Sequence, residues 1–299
     1  MARDLIGKYI WIVDTLNRYG KLTREELDRL WLRSSFSDGN PMPQRTFYHY
    51  RRAIEDSFGI DIECDSTGRY FIRQDNSSRG KAFTNWMLDS YAVSNAIKES
   101  HAPTDCVEIE DVPSAREFLP MVLEAIRNNE KIIFTYAGFN RSRAENDIQF
   151  VPYFLKRYKQ RWYMIGLKEK GKSIRTYALD RIRQMSLTGL KAPSNDKPGM
   201  EELFGNIVGV TTSQAAVRTV KLKVTPTQAK YFRALPLHPS QSEETHDSFS
   251  IFTYRLKLNY ELAHEILSFG DSVKVEEPPE LRAMVVTQLR DTLAQYENQ

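Results

Sequence analysis

The sequence predicts an α+β protein built from several domains. Its 299 residues exceed the size of one ordinary domain core, so two or three domains are expected. Apolar residues recur at helical spacing in the N-terminal part, whereas short β-branched and aromatic runs begin at Lys131. Charge is also divided unevenly: residues 131–191 carry 14 Lys or Arg against 4 Asp or Glu, a net +10 in a chain whose total is +3. These differences indicate segments with separate structures and roles.

The composition excludes several classes of protein. A chain with 41% hydrophobic and 27% charged residues is typical of soluble globular proteins. No run approaches the roughly 20 apolar residues that a membrane span needs, and charged residues precede the first apolar stretch, unlike a secretion signal. The two cysteines, Cys64 and Cys106, form neither a disulfide framework nor a metal-ligand spacing. We therefore expect a cytoplasmic protein with no membrane partner, metal or cofactor.

Three helices are predicted in the first sixty residues. Apolar residues at steps of three and four indicate a helix over residues 5–19, ended by Gly20. Thr23 and Glu26 form a capping box, because the hydroxyl and the carboxylate can satisfy free backbone amides where a second helix begins. A turn-rich stretch precedes a third helix from about Gln44 to Phe58. The residues expected to face inward on the first helix are Leu5, Ile6, Tyr9, Ile10, Val13, Leu16 and Asn17.

A hairpin is predicted after the third helix. The runs Ile60–Cys64 and Arg69–Arg73 are short strands, joined by a tight turn that ends in Gly68. The order helix, helix, turn, helix, hairpin resembles the winged helix-turn-helix heads of bacterial regulators. Outward residues near the start of the third helix then meet base edges in the major groove of duplex DNA. The predicted DNA-binding residues are Gln44, Arg45, Tyr48, His49 and Arg52 on the helix, and Arg69 on the hairpin.

The N-terminal segment has an alternative interpretation and only a weak net charge. A small helical domain that packs against another surface is the alternative interpretation of the same pattern. Residues 1–73 carry 12 Lys or Arg against 11 Asp or Glu, a net of only +1. Because phosphate neutralisation supplies most of the free energy of DNA binding, such a weak charge favours a homodimer over a single copy.

The expected domain boundaries follow from these changes in pattern. We expect a DNA-binding domain over residues 1–75 and a helical linker over 76–130, with helices at 81–100 and 115–129 around a loop at 101–113. A β domain is expected over 131–192 and an α/β extension over 193–299. The linker helices either hold the two ends apart or pair with a second copy. On the later linker helix the inward residues are predicted to be Phe118, Val122, Leu123 and Ile126.

The basic block predicts a small antiparallel barrel. Short strands are expected over 132–136, 148–154, 161–167 and 173–179, separated by turns that contain Gly and Asn. This segment resembles the WYL family through Val151-Pro152-Tyr153, through Arg161-Trp162-Tyr163-Met164 and through the run from Ile174 to Ile182. The resemblance continues through Val220 to Val224, the strand Phe249–Leu258, the run Leu267 to Pro278 and a closing helix from Leu281 to Tyr296. This C-terminal part resembles the α/β extension that often follows a WYL domain.

The resemblance implies a transcriptional regulator whose Sm-like barrel binds a ligand, in several members nucleic acid or a nucleotide-like anion, and thereby alters DNA binding. Arg175 and Tyr177 share one face of their strand, where a guanidinium can bind phosphate and an aromatic ring can stack on a base. The predicted ligand-binding residues are Tyr136, Tyr163, Arg175, Tyr177 and Arg181. An ion pair between Arg181 and Asp180 or a neighbour is the alternative role for Arg181, and Trp162 is expected to pack in the core.

An enzyme is not expected, because the sequence has no nucleophile–base pair, no glycine-rich phosphate loop and only scattered histidines. The predicted function is therefore a DNA-binding transcriptional regulator whose WYL domain binds an anionic, nucleic-acid or nucleotide-like effector. An accessory nucleic-acid-binding module that modulates a partner enzyme is the alternative. A sensor whose head only dimerises is a third interpretation.

Overall fold

The computed structural model describes residues 5–34, 36–37, 39–73, 90, 115–139, 142–192 and 197–297. The chain divides into two compact units, Met1–Glu110 and Asp111–Gln299. Helices accompany three antiparallel sheets, so the predicted mixed class of fold is confirmed. The predicted linker helix at 81–100, apart from the helical residue Ser90, and the predicted loop at 101–113 lie outside the described residues.

Three helices and a small sheet form the first unit. The helices are α1 (Leu5–Tyr19), α2 (Arg24–Trp31) and α3 (Gln44–Phe58), and the strands are β1 (Leu22–Thr23), β2 (Ile62–Cys64) and β3 (Arg69–Ile72). The strand order is β1-β3-β2. The predicted capping box is confirmed: the Thr23 amide donates to the Glu26 carboxylate at 2.8 Å, and the Glu26 amide donates to the Thr23 hydroxyl at 3.2 Å. Both reciprocal bonds begin α2 as the sequence predicts.

The core of the first unit corrects part of the predicted inner face of α1. Ile12, which was not predicted, is completely buried, whereas Leu5 and Ile6 are 37% and 51% exposed. Asn17, also predicted to face inward, is exposed. The helical period predicts the direction of a side chain but not how far along the helix the opposing core extends. The ends of α1 project beyond that core.

A five-stranded antiparallel sheet begins the second unit. Its strands are β4 (Glu130–Tyr136), β5 (Glu145–Tyr158), β6 (Arg161–Lys168), β7 (Ser173–Ala178) and β8 (Ile182–Lys191), in the order β7-β6-β5-β4-β8. The four predicted strands are present, and β8 was not predicted. Within the described strands, β7 and β8 do not pair with each other, so a closed barrel is not observed.

Helix α4 (Leu119–Asn128) covers one face of this sheet, after a 3-10 turn at Arg116–Phe118. Val122 and Ala125 are completely buried against it. Leu123, which was predicted to face inward, is 55% exposed, so that prediction is wrong. The buried stripe of α4 is narrower than its apolar pattern indicates, because the sheet covers only one side of the helix.

The C-terminal extension is an α/β layer around a four-stranded antiparallel sheet. Its strands are β9 (Arg218–Val224), β10 (Ser242–Thr245), β11 (Ser250–Leu256) and β12 (Val273–Glu277), in the order β10-β11-β9-β12. Its helices are α5 (Met200–Phe204), α6 (Pro226–Ala234), α7 (Tyr260–Leu267) and α8 (Pro279–Glu297). The predicted closing helix is therefore present.

A connecting segment, residues 205–214, joins α5 to the four-stranded sheet of the extension. The Lys156 ammonium donates to the Gly209 carbonyl at 2.5 Å, and the Thr176 hydroxyl donates to the Val210 carbonyl at 3.0 Å. On the other side, the Thr211 hydroxyl donates to the Glu261 carboxylate of α7 at 2.6 Å. The connecting segment is thus hydrogen-bonded to both parts of the second unit.

Candidate functional site

A cavity of about 580 Å³ opens at one end of the five-stranded sheet. Side chains from the ends of β4, β5, β6 and β7 line it, together with the loop after β4 and the turn between β6 and β7. Four of the five predicted ligand-binding residues lie on its wall: Tyr136, Arg175, Tyr177 and Arg181. The structure therefore brings together residues that are up to 45 positions apart in the chain.

The floor of the cavity is aromatic. Tyr177 is only 8% exposed, and its ring lies edge-on to Phe134, Tyr136 and Phe150, with centroid distances of 5.0, 4.8 and 5.3 Å. Arg175 lies two residues earlier on β7 and hence on the same face, and its side chain is exposed at the mouth. The β7 strand thus presents a buried ring and an exposed guanidinium to one space.

Tyr163 does not line the cavity. Met164 pairs with Tyr177 across β6 and β7, so Tyr163, one position earlier, points to the opposite face of the sheet. There it packs with Ile165 against Leu203 and Phe204 of the extension. Burial raises the pKa of its hydroxyl. The pairing register, which sequence reasoning did not predict, decides this placement.

The charge of the cavity is strongly positive. Lys168, Lys170, Arg175 and Arg181 line it, and Glu145 is its only carboxylate among the described lining residues. Lys168 forms an ion pair with Glu145. Within the described part of the chain, the other three cations have no carboxylate within ion-pair distance. Cations that the protein does not neutralise attract an anionic ligand and can donate charge-assisted hydrogen bonds to it.

Arg181 contacts an aromatic ring and, among the described residues, pairs with no carboxylate. Asp180, the proposed alternative partner of Arg181, instead pairs with Arg161 at 3.2 Å. The guanidinium carbon of Arg181 lies 4.0 Å from the centroid of the Phe139 ring. Its Nε is buried and lacks a hydrogen-bond acceptor among the described residues. An unpartnered buried donor costs about 1–3 kcal/mol, so a ligand oxygen at this point would recover that free energy.

Phe139 is a wall residue that sequence reasoning missed. Its side chain is 73% exposed, which is unusual for a phenylalanine. The signal was available, because an aromatic residue directly after Gly138 interrupts an otherwise polar turn. Trp162, by contrast, is half-buried and packs at the margin of the core that contains Met164 and Tyr177, as expected.

The predicted DNA-binding residues of α3 form one exposed face. Gln44, Arg45, Tyr48, His49 and Arg52 are all exposed, whereas Phe47 and Ile54 on the other side are completely buried. The placement of all five residues on one accessible surface agrees with the predicted helical period.

Tyr48 connects this face to the hairpin. Its hydroxyl lies 3.3 Å from the hydroxyl of Tyr70 on β3. The hydrogen bond from Tyr70 lowers the pKa of Tyr48, and burial together with this bond raises the pKa of Tyr70 to about 12. The helix and the hairpin are therefore joined at the exposed surface by a side-chain contact.

Arg69 is already engaged by the protein. Its guanidinium donates to the Lys21 carbonyl at 3.3 Å and lies 3.7 Å from the Glu26 carboxylate. The adjoining turn is held by Asp65, which accepts from the Thr67 hydroxyl at 2.6 Å and from the Lys21 ammonium at 3.0 Å. These bonds lower the pKa of Asp65 well below its usual range. Arg69 remains exposed at the side of the hairpin.

Two family models match parts of the second unit. Residues 117–187 match the WYL domain, and this range includes every residue of the cavity wall named above. The chain is a WYL-domain-containing protein, as its sequence motifs predict. Residues 216–293, the part of the C-terminal extension that contains its four-stranded sheet, match the WCX domain. No curated protein matches the sequence.

Two solved structures resemble the chain. Proteasome accessory factor B/C (PafBC) of Arthrobacter aurescens is 22% identical, with a TM-score of 0.37, over 97% of this chain and 46% of that chain. The present chain thus spans less than half the length of that protein. A CRISPR Cas-related protein is 12% identical, with a TM-score of 0.37, over 84% of this chain and 72% of that chain. Neither superposition assigns a role to a residue of this chain.

The described residues contain neither a membrane-spanning helix nor a cluster of metal-ligating side chains. No helix among them is both long and apolar enough to cross a membrane. No group of three or more potential metal-ligating side chains comes together in the same part of the chain.

Proposed function

We propose that this protein is a DNA-binding transcriptional regulator in which an anionic effector, bound in the cationic cavity of the WYL domain, changes the affinity for duplex DNA. The observation that carries the proposal is the composition of the cavity. Four cations, one carboxylate and an aromatic floor line a volume of about 580 Å³. Three of the cations lack a carboxylate partner in the described residues. This surface fits a phosphate-bearing, nucleic-acid or nucleotide-like effector.

The first unit supplies the proposed DNA-binding function. We assign it to the winged helix-turn-helix class, with α3 as the recognition helix and the β2–β3 hairpin as the wing. The five exposed residues of α3 and the neighbouring Arg69 support this assignment, because a recognition helix offers its outer face near its N-terminus to base edges. The weak net charge of residues 1–73 supports action as a homodimer on two half-sites.

The test is direct binding by the full chain. Duplex targets are selected from random sequence, and the affinity of the best target is then measured by fluorescence anisotropy with and without short oligothymidylates. We expect sequence-specific binding whose affinity changes when the oligothymidylate is added. An unchanged duplex affinity at saturating oligothymidylate would contradict the coupling, and a chain without affinity for any duplex would favour the accessory module.

A further inference from the structure

A second cavity, of about 480 Å³, also borders the edge strand β7. It lies where β7 meets the WCX side of the second unit, between Ile174 on the sheet and residues 212–214 of the connecting segment. Ser173 and Arg175 line both cavities, whereas Tyr177 lines only the first. Arg175 therefore borders two separate spaces.

We propose that this second cavity is a subsite for the same ligand, formed in part by the C-terminal extension, and that it takes a second anionic group beyond Arg175. The inference rests on the proposed function, because it takes the anionic ligand of the first cavity as given. It assigns to Lys257 and the connecting segment a ligand-binding role that the WYL motifs do not contain.

The charges of the second cavity match a second anion. Lys172, Arg175 and Lys257 line it, against the single carboxylate of Glu202. Within the described residues, none of these three cations has a carboxylate within ion-pair distance. The Lys257 ammonium donates to the Ser213 carbonyl at 3.1 Å, which uses one of its three N–H donors. The other two donors are available to a ligand.

The shared arginine indicates the form of the ligand. A compact anion would occupy one cavity and leave the cations of the other without a partner. A chain of linked phosphates would instead place one group in each cavity with Arg175 between them. Single-stranded oligonucleotides and inorganic polyphosphate share this chemistry, and the hydroxyl groups of Thr212 and Ser213 add neutral donors on the WCX side.

The same placement gives the ligand a contact with the connecting segment. Residues 212–214 follow directly after Val210 and Thr211, which are hydrogen-bonded to β7 and α7 respectively. A phosphate in the second cavity therefore touches a segment that is attached to both the WYL sheet and the WCX domain. Occupancy of this subsite would change how that segment is held between them.

The experiment measures dissociation constants of the full chain by calorimetry. The first probe series is thymidine monophosphate followed by oligothymidylates of increasing length, and the second is inorganic phosphate followed by tripolyphosphate. Lys172→Ala and Lys257→Ala remove the two lysines of the second cavity. Lys274→Ala is the matched control, because Lys274 lies exposed on β12 and lines neither cavity. Lys172 is exposed, so its variant is expected to fold even if loss of the Lys257 bond weakens the connecting segment.

We expect affinity to increase with probe length until both cavities are filled. Each of the two variants should weaken binding of the long probes about tenfold, the loss of one charge-assisted hydrogen bond, and leave monophosphate binding unchanged. Tight binding of tripolyphosphate would show that linked phosphates are sufficient for binding. Tight binding of oligothymidylates alone would show that the sugar and the base also contribute to the affinity. Either result supports the second subsite. Long probes that bind no better than the monophosphate, or variants that match Lys274→Ala, would refute the second subsite while leaving the first cavity intact. Failure of every probe to bind would contradict the proposed function itself.

Discussion

Replacing Arg175 by alanine separates a ligand-binding role from a structural one. The Arg175 side chain is exposed and has no carboxylate partner among the described residues, so its loss should change the free energy of unfolding by about 0.5 kcal/mol or less. A charge-assisted contact to phosphate contributes about 1.5–3 kcal/mol. The dissociation constant for an oligothymidylate should therefore increase by about 10- to 150-fold.

Two matched variants make this result interpretable. Arg183→Ala removes the same side chain from an exposed position on β8, outside both cavities, and so reports the effect of net charge alone. Met164→Ala removes a completely buried side chain opposite Tyr177 and should cost about 2–5 kcal/mol of stability. Thermal unfolding and calorimetric titration are measured on the same preparations.

The expected pattern is a normal melting temperature with weak ligand binding for Arg175→Ala, and normal ligand binding by Arg183→Ala. If Arg175→Ala melts as early as Met164→Ala, the arginine is structural. If it binds the oligothymidylate with the wild-type dissociation constant, the ligand site lies elsewhere on the molecule.

Three further predictions concern the first unit. Arg45→Ala and Arg52→Ala should each weaken binding to a selected duplex by about 1–3 kcal/mol if the side chain contacts a base. A double variant that keeps the wild-type affinity at every salt concentration would contradict the assignment of α3 as the recognition helix. Thr23→Ala removes the hydroxyl that accepts from the Glu26 amide but keeps the backbone amide that donates to the Glu26 carboxylate, and it should lower the free energy of unfolding by about 1 kcal/mol. Thr23→Ser should restore this stability in urea titrations. The hydrogen bond from Thr67 and, to a smaller extent, the one from Lys21 lower the pKa of Asp65 in the folded state. The ionised carboxylate therefore stabilises the fold fully at pH values above the ordinary carboxyl pKa of about 4. This stabilisation is lost as the pH falls through the lower pKa of the folded state. Asp65→Asn should therefore be less stable than wild type at neutral pH and lose less stability on acidification; parallel curves of urea midpoint against pH would show that Asp65 contributes nothing.

The elements that were predicted well are those with local signals. The capping box at Thr23 and the left-handed Gly59 after α3 mark helix ends through interactions between residues only a few positions apart. The four predicted strands of the WYL domain carry β-branched and aromatic residues between turns, and all four are present. Strand β8 was missed, because its mostly exposed run from Ile182 to Lys191 lacks a clear apolar alternation.

The candidate site was predicted in residue type but only partly in position. The period of two on β7 predicted that Arg175 and Tyr177 share one face, and both residues line the first cavity. Tyr163 was assigned to the same space because it is an aromatic residue on a neighbouring strand, yet the register of β6 against β7 turns it to the other face. A shift of one residue in the register of β6 against β7 would turn Tyr163 back to the cavity face. No local signal in the sequence specifies this register.

The sequence by itself determined the resemblance to the WYL family, the presence of an α/β extension after the WYL domain, and the excess of positive charge in the WYL segment. Only the tertiary structure decided which of those charges remain without a carboxylate partner. Asp180 lies next to Arg181 in the chain but pairs with Arg161, so Arg181 is left to stack on Phe139. Ion pairs form between side chains that the fold brings within about 4 Å, and strand pairing sets these distances, whereas proximity in sequence does not.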